Sequence, residues 1–244
     1  METATPLLDT LRRDGIARVY PPLGAGPAAE LAAYLRAAPC YPGHVRVYGD
    51  GVARSWDVTS EICDVWCHSL ETIVLAPHLW DLAIGLLPAA ARYLDAPPRL
   101  YSMNAFWSRA SATEPMLDLQ TWHRDRDDDK FLALFVYGTD VLCEEDGPHR
   151  FMIGTHDPKC VMANYGPPVF GPAGTTFLAD TRGLHMGVKP TSREPRLIVW
   201  ARYGISERPW AYGQDQLAPV AAARLGDRYP PDAATRKMVE LVAA

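Results

Sequence analysis

The sequence predicts a mostly β fold with flanking helices, and three observations carry that reading. Helical periodicity is confined to the first hundred residues and the extreme C-terminal end. From Leu100 to about residue 204 the chain runs in short apolar or alternating segments cut by Gly, Pro and Asp turns, the pattern of antiparallel strands in a sandwich or barrel. The 244 residues, 48% hydrophobic and 22% charged, have the length and composition of a globular chain around one core.

In chain order, "TPLLDTLRRDG" places Leu7, Leu8 and Leu11 on one side of a short helix, and "GIARVY" reads as a strand after the Asp-Gly break. "GPAAELAAYLRAAP" is an alanine-rich helix closed by Pro39. Residues 41–60 lack periodicity and are expected to form a long loop or irregular hairpin of the kind that covers sites. Residues 61–94 hold two helices, "SLETIVLAPHLWDLAIGLLPAAARYL" being broken by Pro77 and Pro88. "RLYSMNAFWS", "KFLALFVYGTDV", "PHRFMIG", "TTFLAD" and "PRLIVWARYG" then supply the strands, and helix signals return only after residue 231. With no linker-like shift or internal repeat, the expectation is a single domain over 1–244: a helical part to about 99, a β-core over 100–204 and a tail over 205–244.

A net charge of −5 argues against a nucleic-acid partner, which needs a basic face to displace counterions. The first residues lack a basic n-region and an apolar h-region, and no apolar run reaches the ~18 residues that span a bilayer. The expected setting is cytoplasmic, with a small-molecule substrate and neither membrane nor nucleic acid. Five cysteines, an odd number without a Cys-x-x-Cys pair, suit reduced thiols. "CDVWCH" offers Cys63, Cys67 and His68 as metal candidates, but a second ligand pair is missing and core thiols are the simpler reading.

The chemistry concentrates in "QTWHRDRDDD". If this stretch is extended, His123 and Asp125 stand two apart on one face, so an imidazole and a carboxylate converge. His185, just after the strand "GTTFLAD", offers a third ligand; two histidines and one carboxylate form the facial triad of non-haem iron oxygenases. A His-x-Asp spacing alone recurs by chance, and a lone histidine is more often a hydrogen-bonded core residue. Arg196, eleven positions after His185 and opening a strand, adds weight because its fork can meet a dicarboxylate. Arg193 competes for that role, but it lies in the turn, whereas a ladder would fix Arg196. Asp127, Asp128 and Asp129 read as a solvated turn, one of them able to orient a ligand histidine.

"TWHRDRDDDKFLALFVYGTDVLCEEDGPHRFMIGTH" resembles the His-x-Asp segment of phytanoyl-CoA dioxygenase-like proteins, and "GPAGTTFLADTRGLHMG" followed by Arg196 is similar to their distal-histidine segment. The likeness covers about residues 100–204. It implies a double-stranded β-helix (jelly-roll, cupin-like) core with Fe(II), 2-oxoglutarate as co-substrate and O2. Carried across, it makes His123, Asp125 and His185 the iron ligands and catalytic centre, gives Arg196 the distal carboxylate of 2-oxoglutarate, and puts Tyr137 where the family places an aromatic beside it. The chain departs at Gly187, where relatives often have a hydroxyl, and at Ala133, where many carry a lysine.

The resemblance further implies a dioxygenase that hydroxylates a C–H bond of a small molecule while 2-oxoglutarate becomes succinate. A carboxylate at Asp125 favours hydroxylation, or a related desaturation or cyclisation, over halogenation. Two other readings are a cupin-like metal-binding pseudoenzyme or binding protein without turnover, and a zinc hydrolase using the same ligands. For substrate, "YSMNAFWS" puts Tyr101, Met103, Ala105 and Trp107 on one strand face with Asn104 on the other, which nominates Met103 and Trp107. The loop with His44, Arg46, Tyr48 and Trp56 is a candidate lid, Arg46 and Arg54 hinting at an anionic group.

Overall fold

A computed structural model of the chain describes residues 4–43, 52–55, 64–110, 119–160, 163–192, 194–206, 217–230 and 232–239. Helix α1 (Ala4–Asp14) stops at Gly15, whose φ of +83° is a left-handed value natural to glycine. A Cβ there would lie 2.5 Å from His156 Nδ1, so both backbone and space require glycine. Strand β1 (Ile16–Arg18) follows, then α2 (Ala25–Ala37), which buries Ala28, Leu31 and Leu35 and ends before Pro39. Short strands β2 (Tyr41–Pro42) and β3 (Val65–Cys67) precede three short helices, α3 (Leu70–Leu75), α4 (Leu79–Gly85) and α5 (Leu87–Leu94). Periodicity predicts two helices here rather than three. Pro77 separates the first pair, but Pro88 opens α5 from its first turn, where the missing N–H has no partner to lose.

The β-core comprises β4 (Arg99–Ser108), β5 (Phe131–Tyr137), β6 (His149–Ile153), β7 (Asn164–Tyr165), β8 (Thr176–Ala179), β9 (His185–Gly187) and β10 (Arg196–Gly204). A seven-stranded antiparallel sheet has the order β1-β8-β5-β10-β4-β3-β2, and a three-stranded sheet the order β7-β6-β9. Their inner faces pack on each other through Phe151 of β6 against Phe135, Phe177 and Trp200, giving the jelly-roll core. The outer face of the large sheet is covered by α2 to α5, whose Leu31, Leu35, Ile73, Trp80 and Leu87 pack with Leu134, Val199 and Ala201. Covered on both faces, β4, β5 and β10 are buried almost throughout rather than alternately.

Strands β1 to β3, from the first part of the chain, join the same sheet as β4. A helix that the sequence did not announce, α6 (Leu217–Leu225), packs near α3 and β4 and buries Leu217, Ala221 and Leu225. The last described helix is α7 (Ala233–Lys237), just after which Met238 O accepts a 2.6 Å hydrogen bond from Leu100 N–H. No helix among the described residues is long and apolar enough to cross a membrane.

Candidate metal centre and its anion site

The His123 segment lies antiparallel beside β9. His123 and His185 exchange backbone hydrogen bonds at 3.0 Å each, and Asp125 N–H donates to Thr181 O at 2.9 Å. This pairing turns the i, i+2 spacing into geometry: one ligand atom from each of His123, Asp125 and His185 lies within 4.8 Å of the others, the only such group among the described residues. His123 Nε2 is 3.7 Å from Asp125 Oδ1, and His185 Nε2 is 3.8 Å from Asp125 Oδ2.

Each imidazole is oriented by the carbonyl two residues before it. His123 Nδ1–H donates to Thr121 O at 2.8 Å and His185 Nδ1–H to Gly183 O at 2.9 Å, which leaves both Nε2 lone pairs directed at the centre. Burial pushes His185 down to about 4, so it is neutral at pH 7. Burial alone would raise Asp125, but the Arg202 guanidinium and the two imidazoles outweigh it and hold the carboxyl down to about 2. One carboxylate oxygen donor and two imidazole nitrogen donors fit a divalent first-row cation with positions left open.

Arg202, on β10, is the residue that sequence reasoning missed. Its Nη2 donates to Asp125 Oδ2 at 2.8 Å and its Nη1 to Asp127 Oδ2. Asp127, expected in solvent, is therefore turned inward, where Tyr101 Oη also donates to it at 3.4 Å. Asp128 accepts from the N–H groups of Ile205 and Ser206 at 2.7 and 2.8 Å, tying the acidic segment to the end of β10. A signal existed: an arginine inside an apolar strand is rarely buried without an acid partner.

Arg196 begins β10 directly opposite Ser108 of β4 and is 2% exposed. Its Nη1 donates to Gly147 O and to Val188 O (2.9 Å), its Nη2 reaches Ser108 Oγ at 3.4 Å, and Nε has no partner. Burial lowers it to about 10, so it stays charged at pH 7, and among the described residues no carboxylate meets it. A buried guanidinium served only by neutral groups is the feature that fits an incoming carboxylate. Tyr137 lies on the same inner face, but its hydroxyl is engaged: it donates to Val169 O at 2.8 Å and accepts from His149 N–H at 2.9 Å.

Of the nominated substrate residues, Met103 and Trp107 pack in the helix-side core, and Arg36 lies 5.2 Å over the Trp107 ring. Met103 and Trp107 share a face, as the two-residue period predicts, and that face is the helix side of a strand that carries apolar residues on both. The inner face instead presents Phe106 and Asn104, with Phe106 edge-on to Trp200 at 4.7 Å. Asn104 lies beside the Ser102 hydroxyl and the Trp200 indole N–H, and accepts from both with its amide oxygen turned toward them. A β-bulge between Arg202 and Tyr203 slips the register past Tyr101, whose hydroxyl reaches the inner-face acid. Arg46, Arg193, His44, Tyr48, Trp56 and Cys63 lie outside the described residues. Cys67 is buried, and His68 Nδ1 pairs with Pro39 O at 3.0 Å.

No protein-family model matches the chain, and no curated protein matches it in sequence. Solved structures do. The non-heme alpha ketoglutarate dependent epimerase SnoN from nogalamycin biosynthesis is 21% identical, over 82% of this chain and 81% of its own, with a TM-score of 0.57. The carbocyclase SnoK from the same biosynthesis is 18% identical over 83% and 84%, with a TM-score of 0.58. HygX from Streptomyces hygroscopicus, solved with nickel and 2-oxoglutarate bound, is 16% identical over 82% and 87%, with a TM-score of 0.57. The chain shares the fold of these enzymes, a jelly-roll of antiparallel sheets with flanking helices.

Proposed function

We propose that the chain is a single-domain, Fe(II)- and 2-oxoglutarate-dependent oxygenase of the phytanoyl-CoA dioxygenase-like kind, hydroxylating a C–H bond of a small molecule. The observation that carries this is a pairing on one inner face. A His-Asp-His group with fixed tautomers shares that face with a buried arginine that has no acid partner among the described residues. When bound there, Fe(II) and 2-oxoglutarate supply activation of O2, with decarboxylation of the co-substrate to succinate.

In this reading His123, Asp125 and His185 hold the metal and leave its remaining positions open. Arg196 takes the distal carboxylate, with Tyr137 as wall, its hydroxyl tying the start of β6 at His149 to the backbone of Val169. Phe106, Phe135, Phe177 and Trp200 form an aromatic lining that excludes water around the reacting groups. The carboxylate of Asp125 occupies the place that a halide would need, which supports oxygen insertion, desaturation or cyclisation. HygX with hygromycin B and SnoN with nogalamycin RO are structural neighbours holding small organic molecules, which supports that substrate class for this chain. The four described cysteines form no disulfide, which supports a reducing, cytoplasmic setting.

The test is anaerobic. Fe(II) and then 2-oxoglutarate are added to metal-free protein, with His185→Ala alongside, and the visible metal-to-ligand charge-transfer band is recorded. A band in the wild type that is lost in the variant is expected; iron uptake without a band would overturn the reading.

A further inference from the structure

Among the described residues, His149 Nε2 is a buried ring nitrogen on the inner face that lacks a partner and belongs neither to the metal-ligating group nor to the buried arginine. His149 opens β6, is 3% exposed, and its Nε2 meets no hydrogen-bonding group. Buried ring nitrogens are normally paired, so an orphan inside a site points to a ligand. Its neighbours say which site. The ring lies at 22° to that of His185 with centroids 5.6 Å apart, and Phe135 and Phe177 flank it at 4.8 and 5.2 Å. Its ring stacks on that of His185, and its strand position faces Gly187, beside the Arg196 guanidinium.

The register adds a second observation. His149 is the direct cross-strand partner of Gly187, and Phe151 that of His185, so all four positions address the inner face. Gly187 contributes no side chain there, and a Cβ built on it would stand 3.4 Å from Arg196 Nη2. At position 187 β9 thus offers no side-chain hydrogen-bonding group before Arg196, and the residue opposite it on β6 is His149.

We infer that His149 is a further co-substrate-binding residue, its Nε2–H donating to a carboxylate oxygen of a 2-oxo dicarboxylate held between the His123–Asp125–His185 group and Arg196. It supplies from β6 the hydrogen bond that a hydroxyl at position 187 would give from β9. The inference rests on the functional reading above. A neutral imidazole suits the place, since it offers a donor without adding a cation beside Arg196 and the metal.

The experiment titrates 2-oxoglutarate into anaerobic, Fe(II)-loaded protein, read by the charge-transfer band, with iron uptake measured separately. His149→Leu is expected to weaken 2-oxoglutarate about 10- to 100-fold, the worth of a hydrogen bond to a charged group, while still taking up iron. His149→Gln, which keeps a donor, and Gly187→Ser in the His149→Leu background should each recover part of the loss. Unchanged 2-oxoglutarate affinity in His149→Leu overturns the inference while leaving the functional reading intact. Loss of iron uptake in both the Leu and Gln variants also overturns it, since His149 would then act only by supporting His185. A wild type that binds iron and gives no band fails the functional reading and this inference with it. Independently of any variant, zinc-loaded protein with 15N-labelled histidine should show the His149 Nε2–H resonance move downfield and become protected from exchange on adding 2-oxoglutarate; an unmoved resonance would refute the assignment.

Discussion

Arg202 donates to Asp125 Oδ2 at 2.8 Å, so one oxygen of this carboxylate is held by a buried cation while Oδ1 faces His123 Nε2 at 3.7 Å. The arrangement keeps the carboxylate ionised in a place where burial favours the acid form, while its two oxygens face the two imidazoles, Oδ1 toward His123 and Oδ2 toward His185. Arg202 stands directly opposite Ala133 on β5, and this small residue leaves room for its side chain to cross the inner face.

Replacing Arg202 by Met leaves Asp125 and Asp127 buried without their cation. Breaking such a pair costs about 3 kcal/mol, and the metal-free variant should unfold at correspondingly lower urea. A divalent ion then replaces part of the missing charge, so nickel should stabilise the variant more than the wild type. Equal stabilisation of both proteins would show that Arg202 and the metal site are energetically independent.

Arg196 predicts the opposite balance. Among the described residues it has no acid partner to strand, so Arg196→Met should cost the metal-free fold less than Arg202→Met, on the order of 1 kcal/mol for the released carbonyl acceptors. Its effect falls on 2-oxoglutarate, whose affinity should drop at least ~100-fold, as expected when a charge-assisted contact is lost. Titration of the charge-transfer band beside urea unfolding separates the two quantities. Normal co-substrate affinity would move the role to another cation.

The two arginines differ in how far the sequence alone reveals them. His123 and Asp125 are legible because a spacing of two has one geometric meaning in an extended chain, and Arg196 because it follows a proline at a strand start. Arg202 sits on the same face three pleats later, but nothing local says which acid it meets; the partner comes from residues 75 and 77 positions earlier, through tertiary pairing. His149 is hidden likewise, since its orphan nitrogen exists only once β6 lies beside β9. The face of β4 is illegible because helices cover one side and the small sheet the other, which removes the alternation that distinguishes inside from outside. Helix α6, rich in alanine and interrupted by Pro219, offers little periodicity to find.

Acid should destabilise the metal-free protein in a defined window. Burial lowers His68 and His185 from an ordinary value near 6.5 to about 4, so the unfolded chain takes up these protons first. Stability is therefore full above pH 6.5, falls as pH drops toward 4, and loses no more from these groups below that. Each contributes on the order of 3 kcal/mol. His68→Gln should flatten its share of the slope in urea midpoints measured from pH 7 to 4, and an unchanged slope would remove His68 from the account.

Phe106 and Trp107 are neighbours in sequence on opposite faces of β4, and their replacement should separate fold from site. Trp107 is fully buried among the helices, so Trp107→Ala should cost about 3 to 5 kcal/mol through the cavity it leaves, without weakening 2-oxoglutarate in the protein that remains folded. Phe106→Ala should also destabilise, but it removes the edge-on partner of Trp200 from the inner lining. Water then reaches the reacting groups, and succinate formed without substrate should rise relative to iron-bound protein. Measuring uncoupled succinate in both variants decides the face: a rise in Trp107→Ala and none in Phe106→Ala would mean that substrate meets β4 from the helix side.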